Sequence, residues 1–173
     1  MRRTEQERRD GAAHVGYELQ QLVGTAALLS TGQLSGTLAN ACLESMLLHT
    51  RALCDFMLSR RSKPDDLHRD DYIADWSPGT SRHKMHLDDW KERVNKHLAH
   101  LTWERPAGTP DWPFVELAAD VVHVFAEFVA ALRVDAPGRD VFAEHLASAR
   151  RALPARDAIP VATTLSATTA SSG

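Results

Sequence analysis

The chain has only two cysteines, Cys42 and Cys54, among its 173 residues. Both fall on one predicted helix, twelve residues apart, which corresponds to about 18 Å along a helix axis. An intramolecular disulfide needs Cα atoms within about 7 Å of each other. The spacing therefore predicts two reduced thiols, which are typical of a cytoplasmic protein.

Long apolar runs and an excess of basic charge are also missing. No segment has the roughly 18 uncharged apolar residues of a membrane span, and the N-terminus, MRRTEQERRDG, is charged where a secretory leader is apolar. The net charge is −3 with histidine neutral, so the chain lacks the overall basic surface typical of proteins that bind duplex DNA. We expect no membrane contact and no duplex DNA partner, whereas a local RNA contact is compatible with this charge.

The common short motifs of enzymes are absent as well. The sequence contains no phosphate-binding loop, no dinucleotide-binding glycine turn, no H-E-x-x-H zinc helix, no paired C-x-x-C and no G-x-S-x-G elbow. Five aspartates between residues 63 and 86 do not have the spacing of a calcium loop. The sequence predicts no cofactor.

Apolar residues recur at helical spacing through most of the chain, and no segment alternates apolar and polar residues over the length of a strand. The predicted helices cover Glu5–Ser30, Thr37–Arg61, Leu87–Arg105, about 114–133 and Arg139–Leu153. Lys63–His86 is predicted to be a long polar connection in which Tyr72, Ile73 and Trp76 pin the chain to the helices.

This pattern predicts an all-α fold. We expect a single domain over residues 1–153, built as an up-and-down-like four-helix bundle with a short extra C-terminal helix. The long Asp-rich loop lies between its second and third helices. Residues 154–173 are rich in Ala, Ser and Thr and show no periodicity, which is typical of a disordered tail.

The third predicted helix, LDDWKERVNKHLAHLTWER, carries the main candidate catalytic site. Its residues Arg93, His97, His100 and Glu104 are separated by steps of four, three and four, which places them on one helix face. Histidine can take and return a proton near neutral pH, and the planar arginine fork binds phosphate. Together they would supply a base, an acid and a cation for RNA cleavage without a metal.

A structural interpretation of the same residues stays open. His97 lies beside apolar neighbours on its helix and is equally compatible with a hydrogen-bonded core histidine, and Arg93 and Glu104 with a solvated face. On the second helix, Arg51 and Asp55 have the spacing of an intrahelical ion pair. Alternatively, one of them reaches across and orients an imidazole of the third helix.

Other histidines support further alternatives. His49 falls on the apolar face of the second helix, as a core histidine would. A metal site would require His49, Asp55, His97 and His100 to converge between facing helices. His83 and His86 lie at the edge of the predicted loop, and we expect them to be solvated.

Six residues separate Arg93 from His100, and this arrangement resembles the HEPN superfamily of helical-bundle proteins. Its hallmark is an Arg followed by a His after about four to six residues, commonly with a polar residue after the Arg, where this chain has Val94. The resemblance implies a homodimer with two copies of Arg93 and His100 facing each other across a cleft. It also implies metal-independent ribonuclease activity in a toxin–antitoxin or defence setting.

A second resemblance covers about residues 37–105. LESMLLHTRALCDFML, the Asp-rich loop and NKHLAHLTWER look like a group of bacterial helical proteins that carries no known activity. The sequence therefore leaves three classes of function open. They are a HEPN-like ribonuclease or RNA-binding protein, a non-catalytic helical protein that regulates a cognate protein partner, and a His/Asp metal-binding bundle.

Overall fold

The computed structural model describes residues 3–61, 63–94 and 112–154. Within these ranges the chain forms helices and contains no strand, so the all-α prediction is confirmed for this part. In these ranges there are five α-helices, which are α1 (Glu5–Ser30), α2 (Gly36–Leu58), α3 (Arg82–Val94), α4 (Phe114–Ala131) and α5 (Arg139–Ala152). No helix in the described ranges combines the length and apolar content needed to cross a membrane.

Helix α1 has the predicted boundaries because a capping box fixes its start. The Thr4 hydroxyl accepts a hydrogen bond from the backbone N–H of Glu7, and the Glu7 carboxylate accepts one from the backbone N–H of Thr4 at 2.7 Å. These two bonds satisfy donors that the first turn of a helix leaves free. They stabilise this helix start at Glu5.

The predicted start of the third helix was wrong. Helix α3 begins at Arg82, five residues before Leu87, and the Ser81 hydroxyl accepts a hydrogen bond from the backbone N–H of Lys84 at 3.3 Å. This contact is typical of an N-cap serine. His83 and His86 therefore lie on the first two turns of α3 and not on a loop. The predicted end at Arg105 lies outside the described residues.

The predicted end of the second helix was also late, since α2 ends at Leu58. Two side chains from the following segment bind the carbonyl groups at this helix end. His68 Nε2 contacts the Ser59 carbonyl oxygen at 2.8 Å, and Arg69 donates to the carbonyl groups of Met57 and Ser59. These contacts supply partners for carbonyl groups that a helix end leaves unpaired.

Contacts between neighbouring helices establish the helix directions. The Glu18 carboxylate pairs with His49, and the Thr25 carbonyl oxygen accepts a hydrogen bond from the Cys42 thiol, so α1 and α2 run antiparallel. Helix α5 runs parallel to α1, because Arg9 pairs with Asp140 and Gln20 with His145. Helix α4 contacts all four other described helices, which places it at the centre of the packing.

Aromatic rings join the segment between α2 and α3 to the core. Phe128 of α4 lies 5.4 Å from Phe56 of α2 and 5.3 Å from Trp76, measured between ring centroids. Tyr72 lies 4.9 Å from Phe142 of α5. All three pairs meet edge to face, an arrangement that aromatic rings favour. The prediction that aromatic residues pin this segment is confirmed for Tyr72 and Trp76.

Candidate functional site

A buried carboxylate joins two histidines where α3 packs against α4. Asp120 of α4 is only 4% exposed. One of its oxygens contacts His83 Nδ1 at 2.5 Å, and the other contacts His86 Nδ1. His83 and His86 are three residues apart, so both reach one point on α4 from the same face of α3. Both oxygens of a buried charge are thereby hydrogen-bonded, as burial requires.

Trp90 determines which nitrogen of His86 carries the proton. Its indole N–H donates a hydrogen bond to His86 Nε2 at 2.7 Å. Because an indole nitrogen only donates, Nε2 must be unprotonated and the proton must lie on Nδ1, facing Asp120. His86 therefore donates through Nδ1 to the carboxylate and accepts through Nε2 from the indole.

His83 has a different environment. Its ring stacks on His123 of α4, with centroids 4.0 Å apart, and His123 in turn lies 3.3 Å from the Glu127 carboxylate. His83 Nδ1 is bound to Asp120, whereas Nε2 has no partner among the residues that the structure describes. His83 therefore contacts α4 through one hydrogen bond to Asp120 and one ring contact with His123.

Arg93 lies one turn beyond Trp90, toward the end of α3. Its guanidinium carbon is 4.7 Å from the centre of the Trp90 ring, a cation–π distance, and Trp90 also packs on Trp112 at 5.2 Å. Arg93 is exposed, and no carboxylate in the described ranges pairs with it. A continuous series of contacts thus connects Asp120, His86, Trp90 and Arg93.

A cleft of about 350 Å³ opens beside this series. Arg82, His86, Glu116 and Asp120 line it, so a cation, an imidazole and two carboxylates face one space. Its volume is near the lower limit for small-molecule sites. Because His86 and Asp120 are bound to each other and to Trp90 and His83, Arg82 and Glu116 are the lining side chains left to bind a small polar ligand or one unit of a polymer.

The main candidate residues predicted from the sequence are only partly described. Arg93 lies on α3 as predicted, whereas His97, His100 and Glu104 lie outside the described residues. Their proposed roles stay predictions.

The three supporting residues of α2 make contacts within the bundle. His49 is partly buried and pairs with Glu18 of α1 at 2.7 Å. Arg51 lies 3.7 Å from Asp55, which confirms the predicted intrahelical ion pair. Asp55 also reaches α3, where it binds Lys91 at 2.6 Å. Within the described residues Asp55 therefore ties α2 to α3 through a lysine.

The histidine–aspartate group was missed by the sequence reasoning, although the sequence holds two signals for it. His83 and His86 have helical spacing, and Asp120 is an acid on an otherwise apolar face of α4. The expectation that both histidines are solvated was wrong for His83, whose side chain is 15% exposed and bound to Asp120. His86 is also bound to Asp120, but 39% of its side chain stays exposed. Within the described ranges no group of three or more His, Cys, Asp or Glu side chains has an arrangement that could hold a metal.

Comparisons of the chain with protein-family models, with curated proteins and with solved structures found no match.

Proposed function

We propose that this protein binds RNA and cleaves it without a metal, in the manner that its resemblance to the HEPN superfamily implies. Arg93 is the proposed phosphate-binding residue and His100 the proposed acid–base residue, with His97 and Glu104 beside them. The observation that carries the proposal is the exposed guanidinium of Arg93, which lies over the Trp90 ring and pairs with no carboxylate in the described ranges. An all-α chain with an up-and-down-like four-helix bundle, a short fifth helix and an Asp-rich loop is the proposed framework.

The position of Arg93 suits phosphate recognition. A guanidinium over an aromatic face keeps its edge, where the N–H donors lie, free for an oxyanion. The Trp90 ring cannot turn freely, because its N–H is bound to His86 and its face packs on Trp112. Arg93 is therefore partly ordered before a ligand arrives, which lowers the entropy that binding must overcome.

The histidine–aspartate group is proposed to position α3. Asp120 binds two histidines on successive turns of α3, and Lys91 binds Asp55 of α2. These contacts anchor α3 to two neighbouring helices upstream of Arg93. Because α3 is anchored in this way, a phosphate-binding site at Arg93 keeps its geometry during the reaction.

A homodimer is the proposed assembly, and the HEPN resemblance implies that two copies of Arg93 and His100 face each other across its cleft. The end of the α1–α2 hairpin is a separate surface, about 25 Å along α2 from Asp55, and it belongs to the second candidate function below. Residues 19–43, the hairpin tip, contain no Asp, Glu, Lys, Arg or His. Leu28 and Leu38 in this tip are 54% and 64% exposed. At a two-fold axis a surface contacts its own copy, so a charged side chain near the axis lies close to the same charge of the partner. An uncharged apolar tip avoids that repulsion.

The test is induced expression in bacterial cells of the wild type, Arg93→Ala, His100→Ala and Arg133→Ala. Arg133 is a matched control, because it is an exposed arginine that pairs only with its neighbour Asp135 in the described ranges. We expect the wild type and Arg133→Ala to slow growth and fragment total RNA. Both effects should disappear in Arg93→Ala and His100→Ala at equal protein levels. Intact RNA with all four proteins would contradict the ribonuclease proposal.

A second candidate function is a non-catalytic helical interaction protein that acts through its own dimer. The exposed leucines of the hairpin tip favour it. A Leu28→Glu, Leu38→Glu variant should then be monomeric by light scattering and lose its effect in cells, while Arg93→Ala keeps both dimer and effect. An effect that depends on Arg93 alone would reject this candidate.

A further inference from the structure

His86 makes two hydrogen bonds that respond differently to the uptake of a proton. Its Nδ1 binds the Asp120 carboxylate, and its Nε2 accepts the indole N–H of Trp90 at 2.7 Å. A neutral imidazole has one donor nitrogen and one acceptor nitrogen, whereas the protonated ring has two donors. A second proton would therefore leave the bond to Asp120 in place and set two N–H donors against each other at Trp90.

The indole of Trp90 depends on this acceptor. Trp90 is only 7% exposed, and its ring packs on Trp112 with the centroids 5.2 Å apart. A buried N–H that loses its acceptor is unfavourable, so the indole would have to turn to reach water. The guanidinium of Arg93 lies 4.7 Å from the centre of the same ring. Movement of the indole would therefore also release Arg93 from the surface on which it rests.

A proton from solvent can reach His86, because 39% of its side chain is exposed. Histidine is the side chain that ordinarily titrates between about pH 5 and pH 8. The charged groups that face the His86 ring line one cleft and are Arg82 of α3 and Glu116 and Asp120 of α4. Helix α2 also packs on α3, and its Asp55 is bound to Lys91 instead. Two carboxylates beside the ring supply counter-charges for an imidazolium.

The second histidine on Asp120 has a different set of contacts. His83 also binds Asp120 through Nδ1, at 2.5 Å, but its Nε2 has no hydrogen-bond partner in the part of the chain that the structure describes. Its ring stacks on His123, with centroids 4.0 Å apart. A second proton on His83 would break no bond to Trp90. Proton uptake is thus connected to Trp90 and Arg93 through His86.

We propose that His86 is an acid-sensitive positioning residue for Arg93. While its Nε2 is unprotonated, His86 orients the Trp90 ring and, through that ring, the guanidinium of Arg93. When Nε2 takes up a proton, both side chains are released. The inference rests on the proposed function in one respect, namely that Arg93 binds phosphate. The proposed phosphate-binding site is then ordered at neutral pH and loses this order at acid pH.

The test is a titration of the isotope-labelled full chain from about pH 8 to about pH 5, followed by proton–nitrogen NMR. The chain has four tryptophans, and Trp90→Phe identifies the indole N–H signal of Trp90. We expect this signal to move upfield in one transition as the pH falls, because a hydrogen-bonded N–H resonates downfield of a free one. The Nε–H signal of Arg93, identified with Arg93→Lys, should change in the same transition.

His86→Gln is the main variant, because a carboxamide can donate to Asp120 and accept from Trp90 but does not titrate. Both transitions should be lost in this variant. The control is His123→Gln, which removes a half-exposed histidine that stacks on His83 and should keep both transitions. Trp90→Phe carries the test if His86→Gln fails to unfold cooperatively. It lacks the indole N–H, so its Arg93 signal should no longer respond to pH.

The inference is overturned if the Trp90 signal of the wild type stays constant over this pH range, or if the Arg93 signal does not follow it. It is also overturned if the transitions persist in every folded variant of His86 and Trp90. None of these signals requires RNA. A failure of the ribonuclease proposal is therefore distinguishable from a failure of this inference.

Discussion

Trp90 donates its indole N–H to Nε2 of His86 at 2.7 Å, and this bond places the proton of His86 on Nδ1. The imidazole then donates to Asp120, so the indole, the imidazole and the buried carboxylate form one directed series of hydrogen bonds. Each donor faces an acceptor and each acceptor faces a donor. The series holds α3 against α4 upstream of Arg93.

The first prediction concerns the carboxylate at the centre of this series. Asp120→Ala removes the acceptor of both histidines and should lower the free energy of unfolding by about 3 kcal/mol or more, since hydrogen bonds to a buried charge contribute about 1.5–3 kcal/mol each. Asp120→Asn should lower it by only about 1–2 kcal/mol. The carboxamide can accept from His86 and donate to an alternative tautomer of His83.

Urea unfolding followed by circular dichroism measures both values. The control is Asp135→Asn at an exposed ion pair, which should leave the midpoint unchanged. Equal, small effects of Ala and Asn at position 120 would contradict the role assigned to Asp120.

The second prediction uses two glycines with opposite environments. Gly138 has φ +81°, and a Cβ there would lie 2.8 Å from the Cβ of Ala12. Gly138→Ala should therefore destabilise the protein by about 2 kcal/mol or more, from left-handed strain and overpacking. Gly24 lies inside α1 with open space around it, so Gly24→Ala should stabilise by up to about 1 kcal/mol. The thermal unfolding temperature should fall for Gly138→Ala and rise for Gly24→Ala. Shifts of the same sign in both variants would contradict the packing described for these two glycines.

The third prediction concerns the two thiols. Burial raises the pKa of Cys54 to about 12, and burial also raises the pKa of the half-buried Cys42. Because the thiolate is the reactive form, iodoacetamide at mildly alkaline pH should modify Cys42 slowly and Cys54 only after denaturation. Mass spectrometry of peptides from native and unfolded protein makes the comparison. Fast modification of Cys54 in the native protein would be inconsistent with its burial.

The fourth prediction concerns the ion pair between α1 and α5. Arg9 donates a hydrogen bond to Asp140 at 2.7 Å, and this bond lowers the pKa of Asp140 below its ordinary value of 3.8. A lowered pKa means that the pair stabilises the fold above the unfolded-state pKa and loses this effect as the pH falls through the folded-state pKa.

The stability difference between wild type and Asp140→Asn should therefore be constant from about pH 7 to pH 5 and shrink below about pH 4. Arg9→Gln removes the same pair and should give the same pH profile. A difference that grows toward acid pH would have the wrong sign for this pair.

The sequence predicts the helices better than the contacts between them. Helix α1 was predicted with its observed boundaries from the helical spacing of its apolar residues, and the structure adds the Thr4–Glu7 capping box at its start. The start of α3 was missed because Arg82–His86 is polar except for the exposed Met85, and the apolar spacing only begins at Leu87. The sequence signal for the start of α3 is a single residue, the N-cap serine Ser81.

The candidate site shows the same limit. Asp120 contacts His83 and His86 only at one axial position of α3 relative to α4. No local sequence pattern determines that relative position. The hydrogen bond from Trp90 to His86 joins two residues four apart on one helix. Its role in orienting His86 can be recognised only when Asp120 is known to bind the other ring nitrogen. Arg93 could be proposed from spacing alone, whereas its position over the Trp90 ring required the fold.

The most direct test of the central claim is incubation of purified wild type and Arg93→Ala with a single-stranded RNA in the presence of EDTA. The account predicts that the wild type cleaves the RNA under these conditions. Arg93→Ala should lose at least about a hundredfold in rate, since removing one charge-stabilising group costs about 10²–10³ in kcat. Cleavage at an unchanged rate by Arg93→Ala, or none by the wild type, would contradict it.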